Sequence, residues 1–185
     1  IYQQEISDQA ASKLKEYGCC YLSMECRTGK SLTALATAHK YGAKKVLFIS
    51  KLKALPSIQA DYELLKPNFE LTTINFESCH KIVGSFELIV IDEAHSLGAF
   101  PKPSKRTEAI KGLCGELPVL FLSGTPSPES YSQLYHQFWV CTHSPWKKYK
   151  NFYRWAKDYV NVCPKKVNGY TLNDYSDANK AKIDS

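Results

Sequence analysis

The chain has 185 residues, 44% of them hydrophobic, which suits one globular domain with a sizeable buried core. The polar start, Ile1-Tyr2-Gln3-Gln4-Glu5, does not have the form of a signal peptide. No apolar run approaches the length of a membrane span, so no membrane partner is expected. The net charge of +6 is unevenly placed: residues 146–185 hold nine Lys/Arg against four Asp/Glu, and residues 1–145 hold fifteen against fourteen.

Seven cysteines stand at 19, 20, 26, 79, 114, 141 and 163, an odd number with no C-x-x-C spacing. Zinc is not expected from that spacing, and free thiols in a reducing cytoplasm are. The chain opens without Met and stops without an evident boundary, so it reads as a piece of something longer.

Residues 3–16 are expected as a helix, with Ile6, Ala10, Leu14 and Tyr17 at helical spacing and Gly18 as the stop. A short strand follows over 19–23. A second helix begins after Gly29-Lys30-Ser31 and runs to Tyr41, ended by Gly42. Val46–Ser50 is a continuous apolar run, the mark of a parallel strand buried on both faces. A helix over 54–65, a strand over 71–74, a strand over 88–91, a helix over 105–115 and a strand over 118–122 complete the alternation. Apolar strands alternating with helices predict an α/β domain, a mostly parallel central sheet with helices on both faces. In such sheets ligands sit beyond the carboxyl ends of the strands.

Polar clusters stand at those ends: Gly29-Lys30-Ser31 after the first strand, Asp92-Glu93-Ala94-His95 after 88–91, and Ser123-Gly124-Thr125-Pro126 after 118–122. Strand, loop and helix around G-K-S is the context of a phosphate-binding loop. Backbone N–H groups at a helix N-terminus converge on phosphate, Gly29 turns without a clashing Cβ, Lys30 reaches the outer phosphates, and the Ser31 hydroxyl can ligate Mg²⁺. Met24 occupies the position of the first glycine in G-x-x-x-x-G-K-S. The rival reading of G-K-S is the opening of an ordinary surface helix. Asp92 stands where a carboxylate holds Mg²⁺, and Glu93 beside it can accept a proton from an attacking water; an acidic helix start is the plainer alternative.

In this order, G-K-S, D-E-A-H and S-G-T-P resemble motifs I, II and III of superfamily-two helicases, nearest to Swi/Snf-type members of bacteriophages and mobile elements. The resemblance spans roughly residues 1–160 and implies the first of two RecA-like lobes of a P-loop NTPase, with ATP and Mg²⁺ as cofactors. It implies a nucleotide site of Gln3, Cys26, Arg27, Thr28, Gly29, Lys30 and Ser31, with Gln3 reading adenine. Metal would sit on Ser31 and Asp92, and catalysis would fall to Lys30, Asp92 and Glu93. His95, Ser123 and Thr125 would couple nucleotide state to nucleic-acid grip. Looser matches at 50–59 and 73–78 imply DNA or RNA backbone contacts from Lys51, Lys53 and Thr73, which could equally be solvated loop residues. Arg27 departs from the pattern, since Swi/Snf members usually carry glycine there.

From Trp146 to Tyr159 aromatic and basic residues interleave. Residues 146, 149, 153, 156 and 160 fall on one helical stripe, which favours core packing over a stacking surface for nucleic acid. The expected division is a helicase ATP-binding lobe over 1–167 and a polar linker or disordered stub over 168–185, leading to a second RecA-like lobe. Two other classes stay open: a P-loop NTPase with no nucleic-acid role, and a binding module that has kept the fold and lost the chemistry.

Overall fold

The structure, a computed structural model, describes residues 2–25 and 28–185. Cys26 and Arg27, both expected in the nucleotide site, lie outside the described residues.

Helix α1 (Tyr2–Tyr17) leads into strand β1 (Cys19–Ser23), and α2 (Lys30–Tyr41) follows the loop. Then come β2 (Lys45–Ser50), α3 (Leu55–Leu65), β3 (Glu70–Asn75), β4 (Leu88–Ile91), α4 (Lys105–Cys114) and β5 (Val119–Ser123). Five strands form one sheet in the order β1-β5-β4-β2-β3, and every pairing in it is parallel. Strand β5 thus lies between the strand that feeds the G-K-S loop and the strand that carries Asp92.

Strand residues alternate between two apolar clusters, as the period of two requires. Cys20, Leu22, Val46, Phe48, Leu88, Val90, Leu120 and Leu122 pack under α1, α2 and α3. Leu47, Ile49, Ile89, Ile91, Val119 and Phe121 pack on the other face with Ile110 and Cys114 of α4. Both faces are covered, which is why β2, β4 and β5 read as unbroken apolar runs rather than alternating ones.

Beyond β5, α5 (Leu134–Trp139) and α6 (Phe152–Tyr159) build a third cluster, almost wholly aromatic: Tyr135, Trp146, Phe152 and Trp155, with Tyr149, Tyr159 and Tyr175 around them. The expected packing of these rings is found, but not the expected stripe. Trp146 and Tyr149 lie in turns ahead of α6, and Tyr153 is 42% exposed. The cause is a cap: Asn151 Oδ1 accepts from the Arg154 amide at 3.0 Å, which starts the helix at Phe152 and sets its phase. Phe152, Trp155 and Ala156 then face inward.

The largest departure is at the end of the chain. Residues 168–185, expected as a linker or disordered stub, complete a hairpin, β6 (Cys163–Val167) and β7 (Tyr170–Asp174), and form a short helix, α7 (Lys180–Asp184). Asn168 and Gly169, at φ 48° and 81°, make the tight turn that Asn-Gly favours. The segment after the hairpin is tied back by Ser130 Oγ donating to Ser176 O and Ser132 Oγ to Tyr175 O, both at 2.6 Å. The Tyr175 ring lies 5.5 Å from that of Phe152. A boundary at 167/168 would therefore cut the hairpin.

His136 of α5 makes a pH prediction. Only 3% exposed, it bonds Ala99 O through Nδ1 at 2.8 Å and faces the rings of Tyr135, Trp139 and Phe152. Burial pushes its pKa down to about 4, against the pull of the Ala99 bond. Above pH 6.5 neither state carries the proton. As pH falls from 6.5 toward 4 only the unfolded chain takes it up, so stability is lost across that window and stays lost below it. The expected loss is about 3 kcal/mol. Denaturant titrations at pH 7.5 and pH 4 should show it, and His136→Gln should flatten the difference.

Candidate functional site

The register of the sheet fixes the site. Ser23 stands opposite Ser123, Phe121 opposite Ile91, and Ile91 opposite Ile49, so the carboxyl ends of β1, β5, β4 and β2 form one rim. The residues that follow these ends are the polar clusters read from the sequence.

On the β1 side, Met24 does not line the loop. Its amide donates to Ser123 O at 3.1 Å and its side chain is buried among Leu22, Leu35 and Leu122. The residue standing for the first glycine thus serves as core. Gly29 adopts φ 78°, ψ 36°, the left-handed region that favours glycine, and α2 begins after it without a side-chain cap. Thr28 Oγ1 closes the turn on Glu25 O at 2.7 Å. Gln3 Nε2 donates to Thr28 O at 2.9 Å, and a Cβ on Gly29 would come within 2.3 Å of that same nitrogen. Gln3 therefore braces the loop from α1, beside a cavity of about 380 Å³ between α1 and α2 that also takes in Ser7, Leu32, Thr33 and Ala36. Lys30 and Ser31 open α2 and are half-buried. Among the described residues the Lys30 ammonium makes no hydrogen bond or ion pair.

On the β4 side, Asp92 is 7% exposed. Its Oδ2 accepts from Ser50 Oγ at 2.8 Å and its Oδ1 from the Glu93 amide at 2.9 Å. Burial pushes its pKa up, the Ser50 bond opposes this, the Glu93 charge adds to it, and the Lys30 charge lowers it. Lys30 and Asp92 thus stand within electrostatic reach across the rim. Glu93 sits at φ 52°, a strained position for a residue with a Cβ. Glu93 Oε2 lies 3.3 Å from His95 Nδ1, which is 2.8 Å from Ser123 Oγ, and that oxygen accepts from the Thr125 amide at 3.1 Å. Glu93, His95, Ser123 and Thr125 are one connected set, although Thr125 joins through its backbone and its side chain is exposed.

Three members of this network were not singled out from the sequence. Ser50 holds Asp92. Tyr21 OH, which also touches Ser123, donates to Gln137 Oε1 at 2.6 Å, and Gln137 Nε2 donates to Pro126 O at 2.6 Å. Burial raises the Tyr21 pKa, keeping the phenol a donor. The Ser123–Pro126 segment is thereby gripped by His95 on one side and Gln137 on the other. A polar residue ending an apolar strand, as in V-L-F-I-S, was the available signal for Ser50.

No family model matches the chain, and no curated protein matches it in sequence. The case for function accordingly rests on the rim.

Lys51 and Lys53 are exposed just beyond β2 and, with Leu52, Asn75 and Glu77, line an open groove of about 580 Å³. Thr73 is half-buried in the edge strand β3 and does not line it. A cavity of about 630 Å³ lies elsewhere: Tyr21, Ser23, Pro126, Tyr131, Trp146 and Lys182 are among its walls, while Lys30 and Asp92 are not.

Among the described residues no three or more His, Cys, Asp or Glu are grouped to hold a metal. A dication at Asp92 would therefore share its ligands with phosphate oxygens and water, which is how Mg²⁺ is usually bound beside a nucleotide. The raised pKa of Asp92 marks a buried carboxylate that such a cation would stabilise. The donor set fits Mg²⁺ with a triphosphate. Among the described residues no helix is long and apolar enough to cross a membrane.

Proposed function

We propose that the chain is the ATP-binding first lobe, RecA-like in fold, of an ATP-driven nucleic-acid helicase or translocase. The observation that carries the reading is the shared rim: an uncommitted lysine at a glycine-led helix start faces a buried aspartate one strand removed. Gly29 and the first turn of α2 offer N–H donors to phosphate, and Lys30 supplies the countercharge. Ser31 and Asp92 would hold Mg²⁺, which when bound neutralises charge on the phosphates. Glu93 is the base for the attacking water, held by its strained turn and by His95. His95 and Ser123 carry any shift of Glu93 to the S-G-T-P segment, which Gln137 holds from behind. Lys51 and Lys53 would meet the phosphate backbone of a DNA or RNA strand, giving sequence-independent, salt-sensitive binding.

Calorimetric titration of the chain with ATP and Mg²⁺ tests the nucleotide site. Weak saturable binding is expected, with almost no turnover, because an arginine supplied across the cleft by a second lobe is worth orders of magnitude in rate. In a chain carrying both lobes, Glu93→Gln should preserve binding and lower turnover by about 100-fold or more. Survival of turnover would hand the role of base to another residue. Stimulation of that ATPase by DNA separates a motor from a P-loop NTPase without a nucleic-acid role.

A further inference from the structure

Cys19 and Cys141 are 122 positions apart and meet on the second face of the sheet. Each is fastened to backbone beside the other. Cys19 Sγ donates to His143 O at 3.3 Å, two residues past Cys141, and Cys141 Sγ donates to Gly18 O at 4.0 Å, next to Cys19. These two bonds set the sulfurs beside one another.

The surroundings are electropositive: the Lys147 charge acts on Cys19, and His143 and Lys111 act on Cys141. Positive charge nearby favours the thiolate form. Cys19 is half-buried and Cys141 is 2% exposed, and each reaches the wall of a groove. Cys19 lines a groove of about 490 Å³ beside β1, Cys141 lines a neighbouring one of about 330 Å³, and Ser144 and Lys147 line both.

The other described thiols are placed differently. Cys20 points into the opposite cluster, under α1. Cys79 and Cys114 are buried as Cys141 is, but among the described residues neither bonds to backbone beside another cysteine, and Cys163 is exposed on β6.

We infer that Cys19 and Cys141 form a modification site that a hydroperoxide converts to a disulfide, clasping the start of β1 to the turn after α5. One of the two, as thiolate, attacks a peroxide oxygen; the S–O bond forms, the O–O bond breaks, and the alcohol or water leaves. The other then attacks the sulfenic sulfur; the S–S bond forms, the S–O bond breaks, and water leaves. Two thiols lose two electrons to one hydroperoxide. The inference is independent of the nucleotide reading. It concerns the strand that feeds the phosphate loop, so oxidation would restrain the base of that loop.

The test uses the whole chain, reduced, treated with one equivalent of hydrogen peroxide, alkylated and digested without reductant. Mass spectrometry should find a linked peptide pair, with fragment ions placing the bond at Cys19 and Cys141 in the unsubstituted protein. On a non-reducing gel the oxidised chain should run faster, because a long loop is closed. Cys20→Ser should keep the fast band, and Cys19→Ser and Cys141→Ser should each remove it. Recovery of both residues as alkylated thiols, or a link from Cys141 to Cys114 or Cys20 instead, would overturn the assignment.

Discussion

Lys30→Ala is expected to weaken Mg-ATP binding by at least about 100-fold, the equivalent of about 3 kcal/mol, with little change in folding stability. The two halves of that expectation have separate causes. Among the described residues the Lys30 ammonium bonds to nothing, so its removal breaks no native contact, and alanine suits a first helical turn. Surface substitutions of that kind usually fall within about 0.5 kcal/mol. The loss falls instead on a ligand whose phosphate charge would then be countered near Asp92 and Glu93 by Mg²⁺ without the Lys30 ammonium. Asp92 itself also loses the one nearby charge that lowers its pKa. Calorimetry with ATP and Mg²⁺, run beside thermal unfolding, reads both halves. Unchanged affinity would remove Lys30 from the site and with it the phosphate-loop reading. A folded protein that has lost binding is the expected pair of results.

The strands were legible because burial on both faces erases alternation. Leu88–Ile91 and Cys19–Ser23 stand where their apolar runs placed them, and the polar residues that follow each run form the rim. The internal wiring of the rim was not legible. The bond from Ser50 to Asp92 spans 42 positions and the one from Tyr21 to Gln137 spans 116. Both depend on strand order, which local pattern does not encode. Tyr21 reads as one more apolar strand residue until β5 is set beside β1. The tail was misread for a different reason. All ten residues of β6 and β7 but Asp174 are exposed, so the hairpin has no apolar face to announce it. Its one local mark, Asn168-Gly169, was present in the sequence. What docks the segment beyond it is backbone accepting from Ser130 and Ser132, and serines in a loop look like loop.

Trp155→Ala should be the most damaging single core substitution in the carboxyl-terminal third, costing about 3–5 kcal/mol. The indole is fully buried, with ring centroids of Tyr135, Trp146, Phe152 and Tyr159 5.2–5.5 Å away. Two of these neighbours are also held from another side. Tyr159 accepts from the Asn179 amide through its carbonyl, and Phe152 packs on Phe100 and Tyr175. The cavity would therefore stay open and loosen α6 from α5. The parallel sheet is built from two other clusters, so the strand core should survive. Hydrogen exchange should then show protection lost over residues 152–184 and kept in β2, β4 and β5. Trp155→Phe separates packing from hydrogen bonding. The Trp155 indole N–H has no partner among the described residues, so phenylalanine forfeits volume but no bond and should cost much less than alanine. Equal damage from both substitutions would mean that the indole nitrogen has a partner and that the cluster is held by that bond rather than by the fit of its rings.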